Sequence, residues 1–171
     1  MRLKLFDTVI IIDFSFVLII SLALLFGAGG LLRLLLFSGL HELGHLAALA
    51  ICKKRTDSLR LSFYGAALKY SASLSKGREC FVLLCGPLVN LLLFLFLKDE
   101  INISLFILNL LPIYPLDGGR ALRLFLPRVS DYVSYVFLAV FIAFSLYLIA
   151  CHKVYSMLLI SVYLLVYTAL Y

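Results

Sequence analysis

Charged side chains in this chain are gathered into short clusters, and between them run apolar segments of about 15–21 residues, close to the about 20 a helix needs to cross a hydrocarbon core. Few folds accept such runs. In lipid every backbone N–H and C=O must find an internal partner, so a spanning element is a helix or part of a closed barrel. Hydrophobic residues make up 64% of the chain and the mean hydropathy is +1.13, against roughly 45–50% apolar content in a soluble domain. These features predict an all-α polytopic membrane protein forming a single domain over residues 1–171. Six helices are predicted near 8–26, 31–51, 80–97, 101–115, 132–150 and 154–171.

The net charge of +6 raises the question of a polyanionic partner. Lys and Arg cluster between apolar runs and form no basic stripe with interleaved aromatics, so nucleic acid is excluded and the charge is read as topology. Six spans put twelve basic residues on the side of the N-terminus, from Arg2 and Lys4 through Lys53, Lys54 and Arg55 to Arg128. Only Arg33, Lys98 and Lys153 fall opposite. The bias makes the first side cytoplasmic, with both termini there. The expected location is a cytoplasmic membrane, with the lipid bilayer as the surrounding partner. Arg2 and Lys4 before an apolar run resemble a signal peptide, but the run is too long and lacks a small-x-small cleavage site, so it is read as a retained first span carrying Asp13. The four cysteines form no CxxC pair and imply no disulfide framework.

Two stretches depart from the helical pattern. Residues 52–79 are too polar to span, and Leu59, Leu61 and Phe63 alternate with Arg60, Ser62 and Tyr64 before Gly65, which predicts a short hairpin with a kink or bulge at the membrane edge. The fourth span reaches only about 22 Å at 1.5 Å per residue before "PIYPLDGGR" breaks it. Non-helical backbone at that depth must be shielded by protein or line a wet cavity.

The second span contains "HELGH". His41 and His45, four residues apart, share one face of a helix and can bind one metal ion, while Glu42 is placed to take a proton from the water that ion activates. Three His and three Glu would give this pattern by chance on the order of once per thousand shuffled chains. An ionisable group at bilayer depth costs roughly 2.5–3.5 kcal/mol even on the lenient scale, which argues for function over packing. Two histidines leave a tetrahedral zinc in need of a third protein ligand. Counted along continuous helices, His45 lies about 21 Å in from Leu31 and Asp117 about 24 Å in from Ile101, so the two arrive at one level. Asp99, Glu100 and Asp131 sit at water-accessible ends. Asp117 also suits a helix cap or turn before Gly118 and Gly119.

"HELGH", "GPLVN" at 86–90 and "NLLPIYPLDGGR" at 109–120 together resemble the signature segments of the site-2 protease family of intramembrane zinc metalloproteases. The six-span layout is similar to that of its sporulation-type members, which act on membrane-associated precursors of transcription factors. The resemblance implies one Zn2+ on His41, His45 and Asp117, with Glu42 catalytic. It also implies positioning or supporting roles for Gly86, Pro87 and Asn90, with Asn109 a further candidate; Gly65, at the kink of the expected hairpin, is another candidate on its own pattern. A membrane-embedded protein would be the substrate and a regulatory membrane protein a second partner. A PDZ insertion and a C-terminal nucleotide-sensing domain are not expected within these 171 residues.

A transmembrane substrate hides its carbonyls in its own helix and must unwind before attack. A free strand edge within 58–71 would let an extended substrate recover its hydrogen bonds. Water would have to enter a polar cavity from the cytoplasm, to a site roughly 6–9 Å deep in a 30 Å core. Two other classes use the same residues: a divalent-metal transporter, which would ordinarily show a repeated broken helix, and a non-catalytic binder of membrane helices, which has no need of Glu42.

Overall fold

The computed structural model describes residues 2–5, 8–12, 20–21, 24–25, 27–53, 58–62, 65–69, 74–153 and 156–170. Contacts divide the chain into two compact units, 1–107 and 108–171.

The first unit opens with strands. β1 (Arg2–Leu5) pairs antiparallel with β2 (Thr8–Ile12), β2 runs parallel to β3 (Ser58–Ser62), and β3 pairs antiparallel with β4 (Gly65–Lys69). The expected span at 8–26 is therefore corrected at its start. Thr8, Val9 and three isoleucines form a β-branched run, whose restricted χ1 rotamers favour a pleated strand over a helix. Asp13 lies outside the described residues. Register between β3 and β4 is unbroken from Ser58 opposite Lys69 to Ser62 opposite Gly65, so Gly65 is a regular paired position and does not form a bulge.

Helices α1 (Gly29–Ile51) and α2 (Lys76–Leu97) follow, and α3 (Glu100–Leu110) runs three residues past the unit boundary. On α1 the buried residues Phe37, His41, Gly44, His45, Ala48 and Leu49 recur at helical spacing and form one stripe. On α2 the corresponding stripe is Val82, Leu83, Gly86, Pro87 and Asn90. Ala48, Leu49 and Val82 form the apolar cluster between the two helices. They meet closely at Gly44, where a Cβ would sit 2.8 Å from the Cys85 carbonyl oxygen and 2.8 Å from Val89 Cγ2. β4 lies against α1. Near the other end of α1, Arg33 donates to Asp99 at 2.8 Å.

The second unit carries a short helix the sequence analysis missed, α4 (Asp117–Phe125), then α5 (Pro127–His152) and α6 (Ser156–Leu170). Its core is Ile113, Leu138 and Leu164. Among the described residues α1, α2 and α5 are long and apolar enough to cross a membrane, and α3 and residues 157–168 are apolar but shorter. Six full-length spans are not reached among them. The fourth expected span, carried to 115 in the sequence, ends at Leu110. Their outward faces remain apolar, as at Leu36, Phe96, Val140 and Leu159, the surface expected of an integral membrane protein, for which lipid replaces water.

The contact at Gly44 predicts a stability difference. Gly44→Ala should cost about 1–3 kcal/mol, the usual range for overpacking, read as a lower unfolding temperature in detergent. Gly39→Ala, where a Cβ would meet nothing within 4 Å, should leave that temperature unchanged or raised.

Candidate metal centre

Each histidine of α1 is held by α2. His45 Nδ1 lies 2.7 Å from the carbonyl oxygen of Val82. A carbonyl can only accept, so Nδ1 carries the proton and Nε2 is left with its lone pair, the arrangement in which an imidazole ligates a metal. His41 Nδ1 lies 2.9 Å from the side-chain amide nitrogen of Asn90. The two Nε2 atoms are 3.1 Å apart, with the rings nearly perpendicular at 85°. Two nitrogens bound to one zinc at 2.0–2.1 Å would stand roughly 3.3 Å apart at the tetrahedral angle. Nothing in the pair has to move far to share an ion.

Room for that pair depends on Gly86. A Cβ there would meet the ring of His45 and come within 2.7 Å of His41 Nε2. Pro87 and Asn90 are fully buried on the same face of α2.

Asp117 belongs to the second unit, where a structured break delivers it to the first turn of α4. After α3 ends, Ser134 Oγ donates to the Pro112 carbonyl at 3.1 Å and accepts from Tyr114 N–H at 3.2 Å. Thr168 Oγ1 donates to the Tyr114 carbonyl at 2.6 Å. These bonds satisfy backbone groups that a broken helix would otherwise leave bare in an apolar setting. Gly118 and Gly119 allow α4 to start tightly against this turn: side chains there would strike the backbone of Leu110 and Ile113. The helix N-terminus favours a negative charge at Asp117. Arg120 Nη1 stands 3.8 Å from Asp117 Oδ1 and is itself 41% exposed, a loose, solvent-screened pair.

His41, His45 and Asp117 are all buried. Two imidazole nitrogens completed by a carboxylate oxygen would be a donor set suited to Zn2+. Glu42 is half-buried on α1 beside His41. Asn109 lies near the end of α3, before the break. The Val82 carbonyl was missed by sequence reasoning, because any residue supplies a carbonyl. The spacing of Val82, Gly86 and Asn90 at intervals of four on one helix was the signal that could have exposed the face supporting the histidines.

Residues 93–149 match the profile described as Peptidase family M50. That match includes Asn109 and Asp117 and stops short of the histidine pair. No curated protein matches the chain. Among solved structures, the chain is similar in fold to "Site-2 Protease from Methanocaldococcus jannaschii", at 22% identity and a TM-score of 0.65, covering 96% of this chain and 91% of that one.

The cradle at Gly86 is testable without any assay of activity. Gly86→Ala should lower the zinc retained by the purified protein by about 10-fold or more, as losses in the shell around a metal do, when zinc is measured by elemental analysis after dialysis. Gly77→Ala, at a position with nothing within 4 Å, should leave it unchanged.

Proposed function

We propose that this chain is an intramembrane zinc endopeptidase that hydrolyses a peptide bond within or near the transmembrane segment of a membrane-associated protein. The observation that carries the proposal is the buried histidine pair, whose Nε2 atoms stand 3.1 Å apart on a helix that also presents a glutamate between them. The M50 match over 93–149 and the site-2 protease fold support the same reading.

Zinc held by His41, His45 and Asp117 would supply Lewis acidity, lowering the pKa of water and polarising the scissile carbonyl. Glu42 accepts the proton of the attacking water and delivers it to the leaving amine, so no net proton is consumed at the glutamate. Val82 holds His45 in the ligating tautomer. The apolar flanks of α1 and α2 keep bulk water from the reacting bond and let the site face a membrane-embedded substrate.

The sheet suggests how that substrate is presented. With strand order β1-β2-β3-β4, β4 is an edge, and it lies against the helix that carries the histidines. An unwound substrate segment pairing with that edge would recover its backbone hydrogen bonds while its carbonyl is exposed for attack. Pairing of β2 with β3 also brings the N-terminal strands to the side of the loop after α1, which supports one cytoplasmic face for both. The proposed layout is six membrane segments with both termini cytoplasmic, in a prokaryotic cytoplasmic membrane. The substrate is a transcription-factor precursor or its regulator, with sporulation as one setting, and a regulatory membrane protein is a further partner.

Purified protein, loaded with zinc and given a single-span test substrate, separates the readings. Glu42→Gln should lose cleavage by about 100-fold or more, the range of a general base, while retaining its zinc. Equal cleavage by both proteins would remove Glu42 from the mechanism. Metal flux in proteoliposomes that survives the substitution would favour the transporter.

A further inference from the structure

Asn90 is completely buried, and its Oδ1 has no hydrogen-bond partner. Its Nδ2 faces His41 Nδ1 at 2.9 Å. In that orientation the amide donates, His41 Nδ1 must accept, and the ring proton sits on Nε2, pointing at His45 Nε2 3.1 Å away. The result is a directed chain: Asn90 donates to His41, His41 to His45, and His45 to the Val82 carbonyl.

That chain is incompatible with ligation by His41. A ligating imidazole needs a lone pair on the nitrogen facing the metal, so the proton must move to Nδ1, and Nδ1–H then needs an acceptor. Asn90 can provide one without any change of shape, because an amide turned about its Cβ–Cγ bond exchanges oxygen for nitrogen. Oδ1 is bound to no other group, so no hydrogen bond to Oδ1 opposes the turn.

We propose that Asn90 is a positioning residue with two amide orientations, one donating to His41 and one accepting from it, and that the accepting orientation is what makes His41 a metal ligand. Resting on the metal site of the proposed function, the inference adds a residue that acts through His41. Within the pair the histidines then differ. His45 is fixed in its ligating tautomer by a carbonyl, which cannot turn into a donor. His41 is adjustable, because its partner can do either.

Three variants of the full chain decide the matter: Asn90→Asp, whose ionised carboxylate can only accept, Asn90→Leu, a close match in size without polar atoms, and Asn90→Ala, which guards against a packing artefact in the leucine variant. Cobalt(II) serves as the probe, with affinity measured by chelator competition and ligand geometry by the visible d–d bands. Wild type should bind one equivalent with a four-coordinate spectrum. Asn90→Asp should keep that spectrum and bind within a few-fold of wild type or more tightly. Asn90→Leu and Asn90→Ala should bind about 10–100-fold more weakly, the usual cost of losing a partner of a metal-bound histidine.

If Asn90→Asp binds as weakly as Asn90→Leu, an accepting group is not what His41 needs and the inference is overturned. Wild-type affinity in Asn90→Leu and Asn90→Ala would overturn it equally. A wild-type protein that binds no cobalt would instead refute the metal site itself, and the inference with it, an outcome distinguishable because it precedes any comparison of variants.

Discussion

Two helices meeting backbone to backbone is the constraint on which the histidine pair depends. At Gly44 the backbone of α1 comes against the Cys85 carbonyl of α2, and at Gly86 the imidazoles of α1 lie directly against the backbone of α2. One glycine lets the helices close, and the other leaves space for two imidazoles that would otherwise collide with a Cβ. The same approach brings the Val82 carbonyl and the Asn90 amide within hydrogen-bond reach of the rings. Packing and hydrogen bonding are thus one arrangement: side chains in place of the glycines would push the histidines away from the groups that hydrogen-bond to them.

In the second unit the corresponding problem is a helix that stops where backbone groups are hard to satisfy. Ser134 serves Pro112 and Tyr114, Thr168 serves Tyr114, and the chain then restarts as α4 with Asp117 in its first turn. In an apolar medium an unpaired amide costs several kcal/mol, so these hydroxyls are what allows a carboxylate to be delivered from a turn at all. A second hydroxyl pair, Ser145 with Ser161 at 2.8 Å, joins α5 to α6. Small polar residues of this kind are the usual glue between helices that have no hydrophobic drive to associate in lipid.

The helices that are long and uniformly apolar were legible in the sequence, because length and hydropathy suffice to define them. The expected 31–51 and 80–97 correspond to Gly29–Ile51 and Lys76–Leu97. Residues 8–12 were misread, since a β-branched apolar run has the same hydropathy in a strand as in a helix and only its pairing with β1 and β3 decides. Helix α4 was missed because "LDGGR" carries breaker residues whose reason is close backbone approach at Gly118 and Gly119, a tertiary fact. His41 and His45 were readable from their spacing. Asp117 was reached by counting depth along a helix that in fact ends at Leu110; the chain arrives at that residue by a turn and a new helix. Asn90 was noticed only as part of a motif, and its contact with His41 needed coordinates.

The central claim is that one ion is shared by two imidazoles of α1 and the carboxylate that opens α4. Zinc affinity of the full-length protein and its Asp117→Ala variant, measured side by side by chelator competition with helical content monitored by circular dichroism, tests it most directly. The account predicts a loss greater than the about 10–100-fold typical of an outer-shell partner, at unchanged helical content. Undiminished zinc affinity in the variant would contradict it.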